Sequence, residues 1–357
     1  MSIIEELKKR NLPEIKSREE MMEILQREEY GYLPKTKANF SVSEPEILEK
    51  RLDGGNVHID TVDFTLSTEN KSHTFPLFRL LHQDGKKHPL IIFLSFSKTF
   101  DGKYLPIEEL SENEFDIVYF YYQDATTDDG DFSTGVAPLL LPEGRKSPTD
   151  CGKIAMWAWS AMRVLDYALT LPGTDAENVA ILGHSRLGKT AAFTAMMDER
   201  FKFGLSNNAG CAGDSLAHGC SGNGLKERDY TKGETIRWIT EMFPFWFCEN
   251  YYKYGEKNYA DDFDQHYLLG AIAPRYVCVA SCDKDYWADP IGQQMCCLAA
   301  SAAFENQGLK GLVHNDEIIN PGEALLDGHI GYFKINSLHF LSRHCWQKYF
   351  EFIRKHK

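Results

Sequence analysis

Residues 180–192, AILGHSRLGKTAA, constrain the fold more than any other stretch of the chain. An apolar run must give way to a helix across Gly183, His184 and Ser185. So tight a strand-to-helix turn pushes the serine hydroxyl clear of the backbone, and small neighbours leave room for it. The following helix offers backbone N–H groups and the positive end of its dipole to a developing oxyanion. This is the layout of a nucleophile elbow, with one departure from Gly-x-Ser-x-Gly. Leu187 takes the place of the second glycine, and Gly188 comes one residue later. Two other readings compete. In one, Ser185 only caps the helix that begins at Arg186. In the other, residues 183–190 satisfy GxxxxGK[ST] as a phosphate loop. That reading lacks the further glycines of such a loop and an Asp-terminated apolar strand for magnesium.

The rest of the chain fits a strand that feeds a helix. Residues 57–64 alternate, 74–81 are mixed, and 89–96 and 116–122 are continuous apolar runs suited to buried strands. Residues 154–171 carry apolar side chains at helical spacing and end near Pro172–Gly173. Short strands are expected at 178–182 and 276–280, and helices at 14–30, 189–198 and 340–354. Strands alternating with helices imply a mainly parallel sheet covered on both faces. The expected architecture is an α/β-hydrolase fold, a three-layer αβα sandwich. We expect one domain over residues 1–357, with an N-terminal helical extension over about 1–35 and an insertion over about 209–262. That insertion is rich in Gly, charge and aromatics, and is expected to cover the C-terminal edge of the sheet.

A nucleophilic serine needs a base, and the base an orienting carboxylate. In this fold the order is serine, acid, histidine. The strand at 276–280 runs into SCDKDYWADP, which offers Asp283, Asp285 and Asp289. The base should precede the last helix, where His329, His339 and His344 are candidates. His339 sits best, just before the terminal amphipathic run, while His344 falls inside it.

Bulk properties narrow the partners. With 39 basic and 52 acidic residues the net charge is −13, which repels phosphate backbones and argues against nucleic acid. Any acid-bearing substrate would need basic residues in the pocket. No run approaches the roughly eighteen apolar residues of a membrane span. The start, MSIIEELKKR, is charged and amphipathic rather than a secretory signal, so a cytoplasmic chain is expected. The nine cysteines show no zinc-type spacing and read as free buried thiols.

At its candidate site the chain resembles the glucuronoyl esterases, carbohydrate esterase family 15, particularly the bacterial members. The resemblance rests on GHSRLGKTA, SNNAGC (206–211), GET (233–235), FPFWFCENYYKY (243–254), DQHYLLGAIAPR (264–275), SCDKDYWADP (281–290) and HFLSRHCW (339–346), in that order. It implies a Ser-acid-His hydrolase acting on esters of glucuronic acid, such as those joining xylan side chains to lignin alcohols. It also implies Ser185 as nucleophile, His339 as base and Arg186 as an oxyanion donor. Lys189 would meet sugar oxygens, Glu234 would accept sugar hydroxyls, and Trp287 would line the pocket. Many members carry a Glu in the SNNAGC segment, where this chain has Asn208, so the resemblance leaves Asp285 as the sole acid. No cofactor or metal is implied, and the partner is a small carbohydrate ester. Trp246 is read as a core or lid aromatic, and His266 and Arg275 as structural. Two alternatives remain open: an acetyl-xylan-type deacetylase with the same triad, and a non-catalytic hydrolase-fold protein that binds sugar.

Overall fold

The computed structural model describes residues 2–100 and 105–357. In chain order its strands are β1 (Asn39–Val42), β2 (Glu46–Leu52), β3 (Val57–Ser67), β4 (Ser72–His82), β5 (His88–Ser95), β6 (Asp116–Tyr121), β7 (Thr174–His184), β8 (Phe203–Asn207), β9 (Tyr276–Cys282), β10 (Ala324–Leu325) and β11 (Ile330–Ile335). They form one sheet in the order β1-β3-β4-β6-β5-β7-β8-β9-β11-β10, with β2 paired to β3. The run from β6 to β11 is parallel, while β3 and β4 extend it antiparallel. The helices used below are α1 (Ile3–Lys8), α2 (Arg18–Leu25), α3 (Lys153–Ala168), α4 (Arg186–Met197), α5 (Ile236–Met242), α6 (Pro290–Glu305) and α7 (Arg343–His356).

Strand β5 shows why the sheet is covered on both faces. Leu90, Ile92 and Leu94 join the core built with α3, α4 and α6, whereas Ile91 and Phe93 join the core built with α7. Successive side chains point to opposite faces, so only a strand buried on both sides reads as an unbroken apolar run. The terminal helix α7 supplies Trp346, Tyr349 and Phe350 to the second core, and the Ser342 side chain caps it by accepting from Cys345 N–H.

The helical pattern expected over 14–30 is divided. Ser17 and Glu20 form a reciprocal capping box that starts α2 at Arg18. After Leu25 the chain passes into a π-turn at Gln26–Tyr30. All nine thiols are free and buried. Among the described residues, no helix is long and apolar enough to cross a membrane.

Register places the site. His184 on β7 lies opposite Asn207 on β8, and Asn207 lies opposite Ala280 on β9. Cys282 then pairs with Ile335 on β11. The residues that follow these strands therefore leave the C-terminal edge of the sheet side by side.

Candidate active site

The elbow is built at the end of β7. Ser185 stands at φ 59°, ψ −128°, between the last strand residue and the first of α4. A non-glycine residue at positive φ is strained, and such strain concentrates where a side chain must be presented. A Cβ on Gly183 would lie 1.9 Å from the carbonyl oxygen of Leu187, so the first turn of α4 passes directly over this glycine. Gly188 serves the next layer: a Cβ there would come within 3.1 Å of Asn207 O, Ser206 Oγ and Ala209 Cβ. The displaced second glycine thus lets α4 pack on the end of β8. The Ser185 side chain makes no cap bond to α4, which removes the capping reading. The phosphate-loop reading also fails, because Arg186–Thr190 are already helix and leave no loop to surround a phosphate.

The residues expected as base and acid come together from different strands. His339, between β11 and α7, meets Asp285 with Nδ1 2.5 Å from Oδ2. Asp285 is buried, while the His339 side chain is 43% exposed. Among the described residues, none of the other candidates forms a histidine–carboxylate pair. Asp283 ties strand ends through its backbone N–H to Ile335 O, and Asp289 caps α6 through Gly292 N–H. His329 stacks on Tyr276 at the opposite edge of the sheet, and His344 lies within α7. Beneath His339 lies His184, with ring centroids 4.5 Å apart and its Nδ1 2.7 Å from Asn207 Oδ1. Burial first, and the neighbouring His339 second, hold the His184 pKa down to about 3. No hydrogen bond joins Ser185 Oγ to His339 among the described residues. Such bonds are often long in unliganded enzymes and tighten around substrate.

A cavity of about 280 Å³ brings together every residue singled out for the site, including Ser185, Arg186, Lys189, Glu234, Trp287 and His339. Arg186 is held rather than free. It pairs with Asp128 Oδ2, and its guanidinium lies 4.7 Å from the Trp246 ring and 5.4 Å from that of Phe243. Asp128 also accepts from Trp246 Nε1 at 2.6 Å and from Tyr122 O–H at 2.8 Å. Trp246 is therefore a wall of the cavity as well as a core aromatic. Lys189 is buried; its ammonium donates to Ala209 O at 2.5 Å and to Cys211 O, and faces Glu234 Oε2 at 3.7 Å. The role expected for it, meeting sugar oxygens, competes with these carbonyls. Glu234 accepts from Trp287 Nε1 at 3.0 Å. Burial raises its pKa, offset in part by Lys189 and Trp287.

Asn208 also lines the cavity, at φ 48°, and its Oδ1 accepts from Cys282 N–H at 2.7 Å. Its uncharged amide ties the end of β8 to that of β9, and the carboxylate on His339 is that of Asp285. Behind it, buried Asp214 accepts from Ser206 Oγ, Gly210 N–H and Gln293 Nε2, each at 2.7 Å, and fixes the 206–214 turn. Asp128, Phe243, Arg228, Tyr230 and Trp238 were not evident from the sequence. The last three form the outer wall with Trp287, the Arg228 guanidinium lying over all three rings.

A family model described as glucuronyl esterase, fungi, matches residues 115–308, just over half of the chain. The chain belongs to the glucuronoyl esterase family. Within it, carbohydrate esterase MZ0003, from an unknown prokaryotic organism, is 32% identical over 70% of this chain and 55% of its own length. The 4-O-methyl-glucuronoyl methylesterase of Podospora anserina is 27% identical over 81% of this chain and 55% of its own. The chain spans about half the length of these curated relatives. A solved glucuronoyl esterase from Solibacter usitatus superposes with a TM-score of 0.83 at 28% identity, covering 95% of this chain and 92% of the other. The expected fold is borne out, and so is the family resemblance.

Proposed function

We propose that the protein is a serine carboxylic ester hydrolase acting on carbohydrate esters, with glucuronoyl esters as its substrates. One arrangement carries this reading: Ser185, strained on its elbow, shares a cavity with a His339 ring tied to buried Asp285 at 2.5 Å. His339 takes the Ser185 proton as Oγ attacks the ester carbonyl. Asp285 holds the Nδ1–H tautomer and stabilises the imidazolium that forms. The oxyanion meets Arg186 and the backbone N–H groups that open α4; one such donor is worth roughly 10²–10³ in rate. Collapse of the intermediate expels the alcohol, protonated by His339, and leaves an acyl-serine. Water, deprotonated by the same ring, attacks the acyl-serine and releases the uronic acid.

Glu234, held by Trp287 and Lys189, accepts sugar hydroxyls, and the Trp287 face lines the sugar site. Lys189 supports this wall from behind and lends its charge to the acyl group's oxygens. A polar set of this kind suits a uronoyl group and is superfluous for acetate, which favours the uronoyl reading over a deacetylase. Nine free buried thiols favour a reducing compartment, and with it a small soluble ester as substrate.

The test is hydrolysis of benzyl glucuronate beside p-nitrophenyl acetate by wild type, Ser185→Ala and Asp285→Asn. Turnover of the glucuronate that both substitutions abolish is expected. Turnover of acetate alone sinks the uronoyl assignment. Silence on both esters, with no serine labelling by a fluorophosphonate, sinks the hydrolase reading as a whole.

A further inference from the structure

Besides His339, three basic side chains line the cavity, and two of them are already committed. Arg186 is ion-paired to Asp128, and Lys189 donates to two carbonyls beside Glu234. Arg228 is different. Among the described residues it has no ion pair and no hydrogen bond to another side chain or to the backbone. Its guanidinium instead lies 4.0 Å from the Tyr230 ring, 4.6 Å from that of Trp287 and 4.9 Å from that of Trp238. Trp238 meets Trp287 edge-on at 4.9 Å, so the platform beneath the cation is itself packed. Burial raises the Glu234 pKa, and Arg228, which does not pair with it, is among the charges that offset part of that rise.

Stacking on rings fixes the plane of a guanidinium but leaves its N–H donors, which lie in that plane, available. A planar fork with unengaged donors matches a carboxylate in bidentate geometry. On a chain of net charge −13, an unpaired cation at the mouth of the cavity also provides the local attraction an anionic group needs. We propose that Arg228, on its platform of Tyr230, Trp238 and Trp287, is a subsite for a free carboxylate carried by the substrate outside the scissile ester. The inference rests on the esterase reading and narrows it: the preferred substrate is an acidic ester, with its free carboxylate on either the neighbouring sugar or the alcohol.

Binding can be read apart from hydrolysis in Ser185→Ala, where Trp238 and Trp287 report through fluorescence. Three ligands are compared: benzyl glucuronate, 4-carboxybenzyl glucuronate, and a benzyl glucuronate joined to a second, unesterified glucuronate. At least one of the two ligands that carry a free carboxylate, the second or the third, is expected to bind about tenfold more tightly than the first, which carries none. Which one does so identifies the side that bears the carboxylate. Adding Arg228→Gln should bring the ratio to about one, and Arg228→Lys should keep part of it. Raising the salt to about 1 M should erode the preference, because Arg228 is exposed. Equal binding of all three ligands overturns the proposal, as does a preference that survives Arg228→Gln. If wild type hydrolyses none of the esters but the Arg228-dependent preference persists, the esterase reading falls and the carboxylate subsite stands.

Discussion

His339 and His218 each hold an aspartate through Nδ1, at 2.5 and 2.7 Å, yet the two pairs are built for opposite ends. Asp264, the partner of His218, is fully enclosed and also accepts from the backbone N–H groups of Ala217 and His218 at 2.8 Å and of Gln265 at 2.6 Å. The His218 ring packs at a tilt on Tyr259, centroids 4.5 Å apart, and its carbonyl accepts from Arg10. That pair clamps the 217–218 turn to the start of the 264–270 segment. Asp285 has His339 as its side-chain partner, and the ring opens onto the cavity beside Ser185. A histidine–aspartate contact is thus structural by default. It becomes chemical when the far ring nitrogen is left to a nucleophile and to water.

The sharpest way to break this comparison is to neutralise each aspartate in turn. Asp285→Asn should lower kcat by roughly 10³–10⁴, as loss of the orienting acid does in serine hydrolases, while changing unfolding free energy by less than about 1 kcal/mol. Steady-state kinetics and urea denaturation measure the two effects. Asp264→Asn should do the reverse. An amide NH₂ facing backbone donors and a histidine left without its anion should cost about 3 kcal/mol of stability, with kcat per folded molecule within a few-fold of wild type. If Asp264→Asn proves as inactive as Asp285→Asn while still folded, the distinction fails.

A third histidine sharpens the picture through pH. His184 has a folded pKa of about 3 against an ordinary value of 6.5, so over that window the unfolded chain binds the extra proton. Its contribution is complete above pH 6.5 and is lost as pH falls toward 3. Denaturation at pH 7 and pH 4 should differ by about 3 kcal/mol from this residue alone, and His184→Gln should flatten that part of the slope. The smallest effect concerns Asn208. Removing its amide leaves Cys282 N–H without an acceptor, so Asn208→Ala should cost about 1–2 kcal/mol, with the His339–Asp285 pair still in place. Thermal denaturation with parallel kinetics would check it.

Much of the site was legible because its order along the chain is dictated by the sheet. A strand ending in Gly-His-Ser, an aspartate just past a later strand and a histidine before the last helix are local patterns, and register alone aligns them. The phosphate-loop match dissolved because a literal spacing does not say whether its residues are loop or helix. The aromatic and acidic surroundings were not legible for a different reason. Asp128 meets Arg186 across 58 residues and Trp246 across 118, and nothing local in TTDDGDFSTG marks one of its aspartates as the partner. Arg228 likewise reads as an ordinary surface charge until folding lays it over three rings.

The way Asp128 is shared bears on how this cavity could be altered. One carboxylate joins the 126–136 loop to α4 through Arg186 and to the 243–247 segment through Trp246. A chimera that imports the 243–247 wall from a relative without its matching 126–136 loop would leave the arginine beside Ser185 without its anchor. The two segments are better exchanged together, as a single cassette, than one at a time.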